Sequence, residues 1–153
     1  MLSLFSFGPT TRRWGCGAAL LGLGGLASGA PARPAPAPTQ AQVARRFLLE
    51  ILRAEYPAAY RRLAPEVRAA VPLATFGAAA RPLWQQGQAR GAAIELYQLG
   101  TRLGERRGQS QWFCRFSFAR DSARAPHPPP VLLEVTFRDT TARSVLGFGL
   151  RRR

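Results

Sequence analysis

The sequence predicts an α+β domain, with N-terminal helices packed on one face of an antiparallel sheet of about four strands. Three observations carry this expectation. Up to residue 91 apolar residues recur at helical spacing. Beyond it they alternate with polar ones. The alternating runs are separated by short stretches rich in turn-forming residues.

Each element follows from its residues. Thr39 and Gln42 have the spacing of a capping box, a hydroxyl at the N-cap and an amide three residues on. Val43, Ala44, Phe47, Leu48, Ile51 and Leu52 then form one apolar stripe, with Arg45, Arg46, Glu50 and Arg53 mostly on the other side. This helix is expected to end near Tyr56, because Pro57 restricts the residue before it. Pro57 and Pro65 each suit a first helical turn, giving short helices at 58–63 and 66–71. Thr75 is the expected cap of a further helix reaching Gln86, stopped by Gly87 and kinked or split at Pro82. Strands are expected at 94–103, 111–119, 131–138 and 144–150. In the second, Trp112, Cys114, Phe116 and Phe118 share a face opposite Phe113, Arg115 and Ser117. In the third, Val131, Leu133, Val135 and Phe137 face the core, and Glu134 on the other side is expected to be solvated.

The chain has 153 residues, enough for one domain with its own core. It contains no apolar run of about 18 residues, so a multi-span membrane protein is excluded. Arg12 and Arg13, followed by the apolar small-residue stretch from Gly15 to Gly29, read as a signal peptide over 1–30. Residues 31–40 form a Pro/Ala-rich linker and 41–153 the domain. The expected location is secreted or periplasmic, with an N-terminal membrane anchor as the alternative. Signal removal takes Cys16 away and leaves Cys114 as a lone, buried, apolar cysteine.

All 22 basic residues are arginine, against 8 acids, for a formal charge of +14. Arg, Ala, Gly and Pro share GC-rich codons, which weakens a reading of the arginines as a selected nucleic-acid patch. The charge still attracts anionic surfaces.

The order of elements resembles the nuclear-transport-factor-2-like, cystatin-like superfamily, and within it small secreted bacterial domains of unknown function. The likeness rests on the helix from Ala44 to Leu52, on Ala58-Ala59-Tyr60, on Leu83-Trp84-Gln85-Gln86-Gly87 and on Val145-Leu146-Gly147-Phe148-Gly149-Leu150. It covers about 41–150, and Pro82 departs from the superfamily's uninterrupted third helix. The resemblance implies a curved sheet wrapping a helix, often with a pocket between them, and no single function.

Enzymatic chemistry of the ketosteroid-isomerase type needs a carboxylate base converging with a proton donor on an apolar pocket. Asp121 and Asp139 fall in expected turns, where aspartate serves the backbone. Glu95 and Glu134 lie in strands, and Cys114 with the lone His127 makes neither a metal site nor an accessible nucleophile pair. The expectation is therefore a non-enzyme without cofactor or metal, with an enzyme of the ketosteroid-isomerase-like type kept as a further alternative. Its first form is an exported domain binding a small apolar ligand or a protein partner in a helix–sheet pocket bordered by Tyr56, Tyr60, Trp84, Tyr97 and Trp112. The alternative form binds anionic envelope surfaces or polyanions through Arg102, Arg106, Arg107, Arg151, Arg152 and Arg153, without reading nucleic-acid sequence. A homodimer through the open sheet face, where Phe113 and Leu132 lie, is also expected.

Overall fold

The structure is a computed structural model that describes residues 36–103, 110–123 and 128–152. The expected signal peptide, His127, Arg106, Arg107 and Arg153 lie outside those residues. Among the described residues, five helices pack with a four-stranded antiparallel sheet, four of the helices preceding it in the chain.

Helix α1, Gln40–Leu52, opens with the expected capping box: Thr39 Oγ1 accepts from the Gln42 amide at 3.2 Å, and Gln42 Oε1 accepts from the Thr39 amide at 2.8 Å. Its apolar stripe is buried. Phe47 is fully enclosed and meets the rings of Phe76 and Phe148 edge-on, with centroids 6.2 and 5.4 Å away. Burying a side chain of this size stabilises by about 1.5–3 kcal/mol. The helix ends sooner than Pro57 would require. Ala54 adopts a left-handed φ of 61°, its amide donates to the Ile51 carbonyl at 2.9 Å, and the Glu55 amide donates to the Glu50 carbonyl at 2.8 Å. This is a Schellman termination with alanine where glycine is usual.

The early reversal releases Tyr56 to begin α2, Tyr56–Arg61, which is followed by α3, Pro65–Ala70. Each carries proline in its first turn, as expected.

Helix α4 departs from expectation at three points. It runs unbroken over Leu73–Arg90, with Pro72 rather than Thr75 at its N-cap. Pro82 does not split it. Pro82 and Ala78 are both exposed, so the hydrogen bond that Pro82 cannot make is missing on the solvent side of the helix. Gly87 does not stop it either. That glycine is a packing contact, since an added Cβ would lie 2.7 Å from Leu52 Cδ2. Gly91, with φ of 91°, ends the helix instead.

The strands are β1, Ile94–Leu103; β2, Ser110–Phe118; β3, Val131–Phe137; and β4, Gly147–Arg152, paired in that order. Cys114, Phe116, Phe118, Leu133, Val135 and Phe137 form the sheet's side of the helix-packed core. Burial pushes the Cys114 thiol up to about 11, despite a hydrogen bond with Trp112, and keeps it protonated. The last strand begins later than expected because Val145 is committed elsewhere. Its amide donates to the Arg62 carbonyl at 2.9 Å, and its carbonyl accepts from the Ala64 amide at 2.8 Å. The segment thus ties the helices to the sheet. Gln40 adds a second tie, its amide donating to the carbonyls of Asp139 and Ala142 at 2.7 Å each. Asp139 behaves as a turn aspartate: its Oδ1 accepts from the Thr141 hydroxyl and from the amides of Thr141 and Ala142.

A four-residue helix, α5 at Ala119–Ser122, is an addition to the expected elements. Its Asp121 is not a turn residue serving backbone, because it is buried and takes two bonds from Arg90 Nη1, at 2.7 and 2.8 Å.

Replacing Ala54 with Gly relieves the left-handed strain and should raise the free energy of unfolding by about 0.5–1 kcal/mol. Phe47→Ala should lower it by about 3–5 kcal/mol. Urea titration of both variants checks these signs, and a destabilised Ala54→Gly variant contradicts the Schellman account.

Candidate anion-binding face

The sheet face turned away from the helices carries an unusual charge arrangement. Pairing in register sets Arg115 of β2 directly opposite Glu134 of β3, and Glu134 directly opposite Gly149 of β4. Glu134 is not solvated, as the sequence led one to expect, but 3 % exposed. The reason is its neighbours. Arg115 Nε donates to its Oε2 at 2.8 Å. Arg102 Nη2, from β1, reaches both oxygens at 2.9 and 3.0 Å. Arg151, from β4, reaches Oε1 through Nη2 at 3.1 Å and Nε at 3.3 Å. One carboxylate thereby ties together side chains from all four strands.

Two opposed effects act on its acidity. Burial raises the pKa of Glu134, while hydrogen bonds from Arg151, Arg115 and Arg102 lower it further, leaving it at about 2. The carboxylate is permanently ionised at neutral pH with both oxygens occupied. That suits a structural anchor and is the opposite of the raised pKa that a general base requires.

Three guanidiniums against one carboxylate leave two positive charges uncompensated within the cluster. Side-chain exposures of 39 % for Arg102 and 53 % for Arg151 keep both open to solvent. Among the described residues, Arg102 spends only Nη2 on hydrogen bonds, and Arg151 leaves Nη1 unused. The floor beside them is bare. A Cβ added at Gly149 would meet nothing within 4 Å. A groove of about 390 Å³ runs there, bounded by Arg102, Gln111, Glu134, Thr136 and Arg151.

The arginines also cover an aromatic ring. Phe113 lies on this face yet is buried, with the Arg115 guanidinium 4.4 Å and the Arg102 guanidinium 5.7 Å from its centroid. The ring fits because it lies over Gly100, where an added Cβ would come within 2.8 Å of it. Leu132 is also buried, and nearby α5 folds back so that Ser122 Oγ sits 2.8 Å from Ser117 Oγ. Phe113 and Leu132 therefore give this face no exposed apolar patch, which corrects the basis on which a dimer through it was expected.

Of the arginines singled out in the sequence, Arg102 and Arg151 meet on Glu134. Arg152 does not, because it pairs with Val131 and so points to the opposite face. Arg115 was missed as a site residue. Its signal was present in the alternation that put it on the face of Glu134 one strand away. Of the five aromatics, Tyr56, Tyr60 and Trp112 all pack against the helix–sheet core. Tyr56 packs near Gly77, and the Tyr60 hydroxyl lies 2.9 and 2.7 Å from the carbonyls of Arg68 and Val71, its ring edge-on to Phe76. Trp84 is half-buried on α4, and Tyr97 occupies a bulge in β1. Trp112 borders a small groove of about 240 Å³ with Leu99 and Ala41.

Comparison with family models, curated proteins and solved structures finds no match to this chain. Among the described residues there is no group of side chains able to hold a metal ion, and no helix is long and apolar enough to cross a membrane.

Because the folded pKa of Glu134 lies below its ordinary value of 4.5, its stabilisation is fully present above about pH 4.5 and disappears as the pH falls through 2. Glu134→Gln should cost about 1–3 kcal/mol at pH 7, the partly exposed arginines being screened by solvent. It should also flatten the acid limb of the stability profile. Parallel acid limbs in the two proteins would remove Glu134 from that role.

Proposed function

We propose that this protein is an exported, non-catalytic binding domain whose outer sheet face takes anionic groups, phosphate in particular. The carrying observation is the cluster of Arg102, Arg115 and Arg151 around one carboxylate, two charges in excess and open to solvent on a bare backbone floor. Guanidiniums prefocused by a buried partner keep their free N–H groups oriented, and planar forks match phosphate and carboxylate oxygens. Oriented donors on a rigid sheet lose little entropy on binding.

The alternative, a small apolar ligand held between helices and sheet, draws on the nuclear-transport-factor-2-like likeness. Phe47, Phe76 and Phe148 pack edge-on against one another between helices and sheet. An anionic partner on the far side of the sheet requires no rearrangement of this core.

The test is binding to vesicles of anionic and of zwitterionic lipid over a range of salt. Binding should be confined to the anionic vesicles and weaken steeply with salt. Arg102→Gln with Arg151→Gln should reduce it by about ten-fold or more, each lost charge-assisted bond contributing about 1.5–3 kcal/mol before screening. Arg46→Gln with Arg53→Gln removes the same charge from the exposed side of α1 and from its C-cap, and should have a much smaller effect. Equal losses would reduce the proposal to net charge alone.

A further inference from the structure

Strand β1 is the edge of the sheet, and its ten residues are exposed over most of their length. Edge strands usually carry charges, proline or strong bulges that discourage pairing. This one carries a bulge at Tyr97 and the charges of Glu95 and Arg102, yet also presents Leu96, 47 % exposed, and Leu99, 45 % exposed. Both lie on the helix-packed side, since they pair with Phe116 and Cys114. They share that side, although an odd number of residues apart, because the register shifts between Leu96 and Gln98.

The shift makes the strand self-complementary. We propose that β1 forms the interface of a two-fold homodimer, pairing antiparallel with the β1 of a second copy about an axis between Tyr97 and Gln98. Leu96 then faces the partner's Leu99, Leu99 faces the partner's Leu96, and Ile94 faces the partner's Thr101. On the outer side, Glu95 faces the partner's Gly100, which leaves it open diagonally to the partner's Arg102. Diagonal neighbours at that spacing are within reach of long side chains.

Charge supports this occupant. Glu95 has no hydrogen bond or ion pair among the described residues, in a chain with 22 arginines and 8 acids. Arg102 keeps N–H groups that Glu134 does not use. A single register joins the apolar pairs on one side and the opposite charges on the other. No other register of this strand against itself matches Leu96 with Leu99. The outer faces of the two copies become one eight-stranded surface, but the dimer does not depend on that face binding anions.

Sedimentation equilibrium of the whole chain is the test. The unsubstituted chain should show a reversible dimer. Leu96→Arg and Leu99→Arg change half-exposed positions, should leave the circular dichroism spectrum unchanged, and should weaken dimerisation by about a hundred-fold, because they set charge into the apolar seam. Glu95→Arg should weaken it by about ten-fold through like-charge contact with the partner's Arg102. Leu73→Arg, exposed on α4, is the control and should leave the dimer intact. A monomer throughout the accessible concentration range overturns the proposal. So does a dimer that survives both leucine substitutions.

Discussion

The ionised carboxylate of Glu134 is the constraint on which the outer half of this fold depends. A lone buried carboxylate is costly, and a guanidinium on a sheet face without a partner is free to wander. Together, three arginines satisfy both carboxylate oxygens and are themselves held at fixed positions across four strands. Two of them then shield the Phe113 ring. Removing the carboxylate would release charge, loosen three side chains and uncover an aromatic.

The helix side is governed by ordinary packing. Phe47, Phe76, Phe148 and Tyr60 form a chain of edge-on rings joining α1, α2, α4 and β4. Polar ties close the ends of this layer, with Gln40 reaching the β3–β4 connection and Arg62 binding Glu50 through two bonds of 2.6 and 2.7 Å. The two sides of the sheet thus differ in kind. One is an apolar interior. The other is an ionic lattice whose excess charge faces water.

Much of the fold was legible because it follows from local rules. Thr39 with Gln42 announced the first helix, and period-two alternation placed all four strands to within a few residues. The misread points are where tertiary contacts override local preference. Ala54 does a glycine's work, Gly87 is a packing surface instead of a stop, and Pro82 is tolerated on the exposed side of its helix. The site was half legible. Alternation put Arg115 and Glu134 on one face, but it could not reveal that Arg102 and Arg151 reach the same carboxylate. That depends on strand order and on Gly149 leaving space opposite Glu134. The aromatic residues were legible as large amphipathic side chains; that Tyr56 and Tyr60 meet α4 side by side at Gly77 and Phe76 depends on the tertiary fold.

If the arginines around Glu134 form one anion site, an anion must engage them together. The direct measurement is a titration with inorganic phosphate followed by NMR at the arginine Nε–H groups. Arg102, Arg115 and Arg151 should shift together along one saturating curve, while Arg45, Arg46 and Arg53 barely move. Uniform, unsaturated shifts across all the arginines would contradict it.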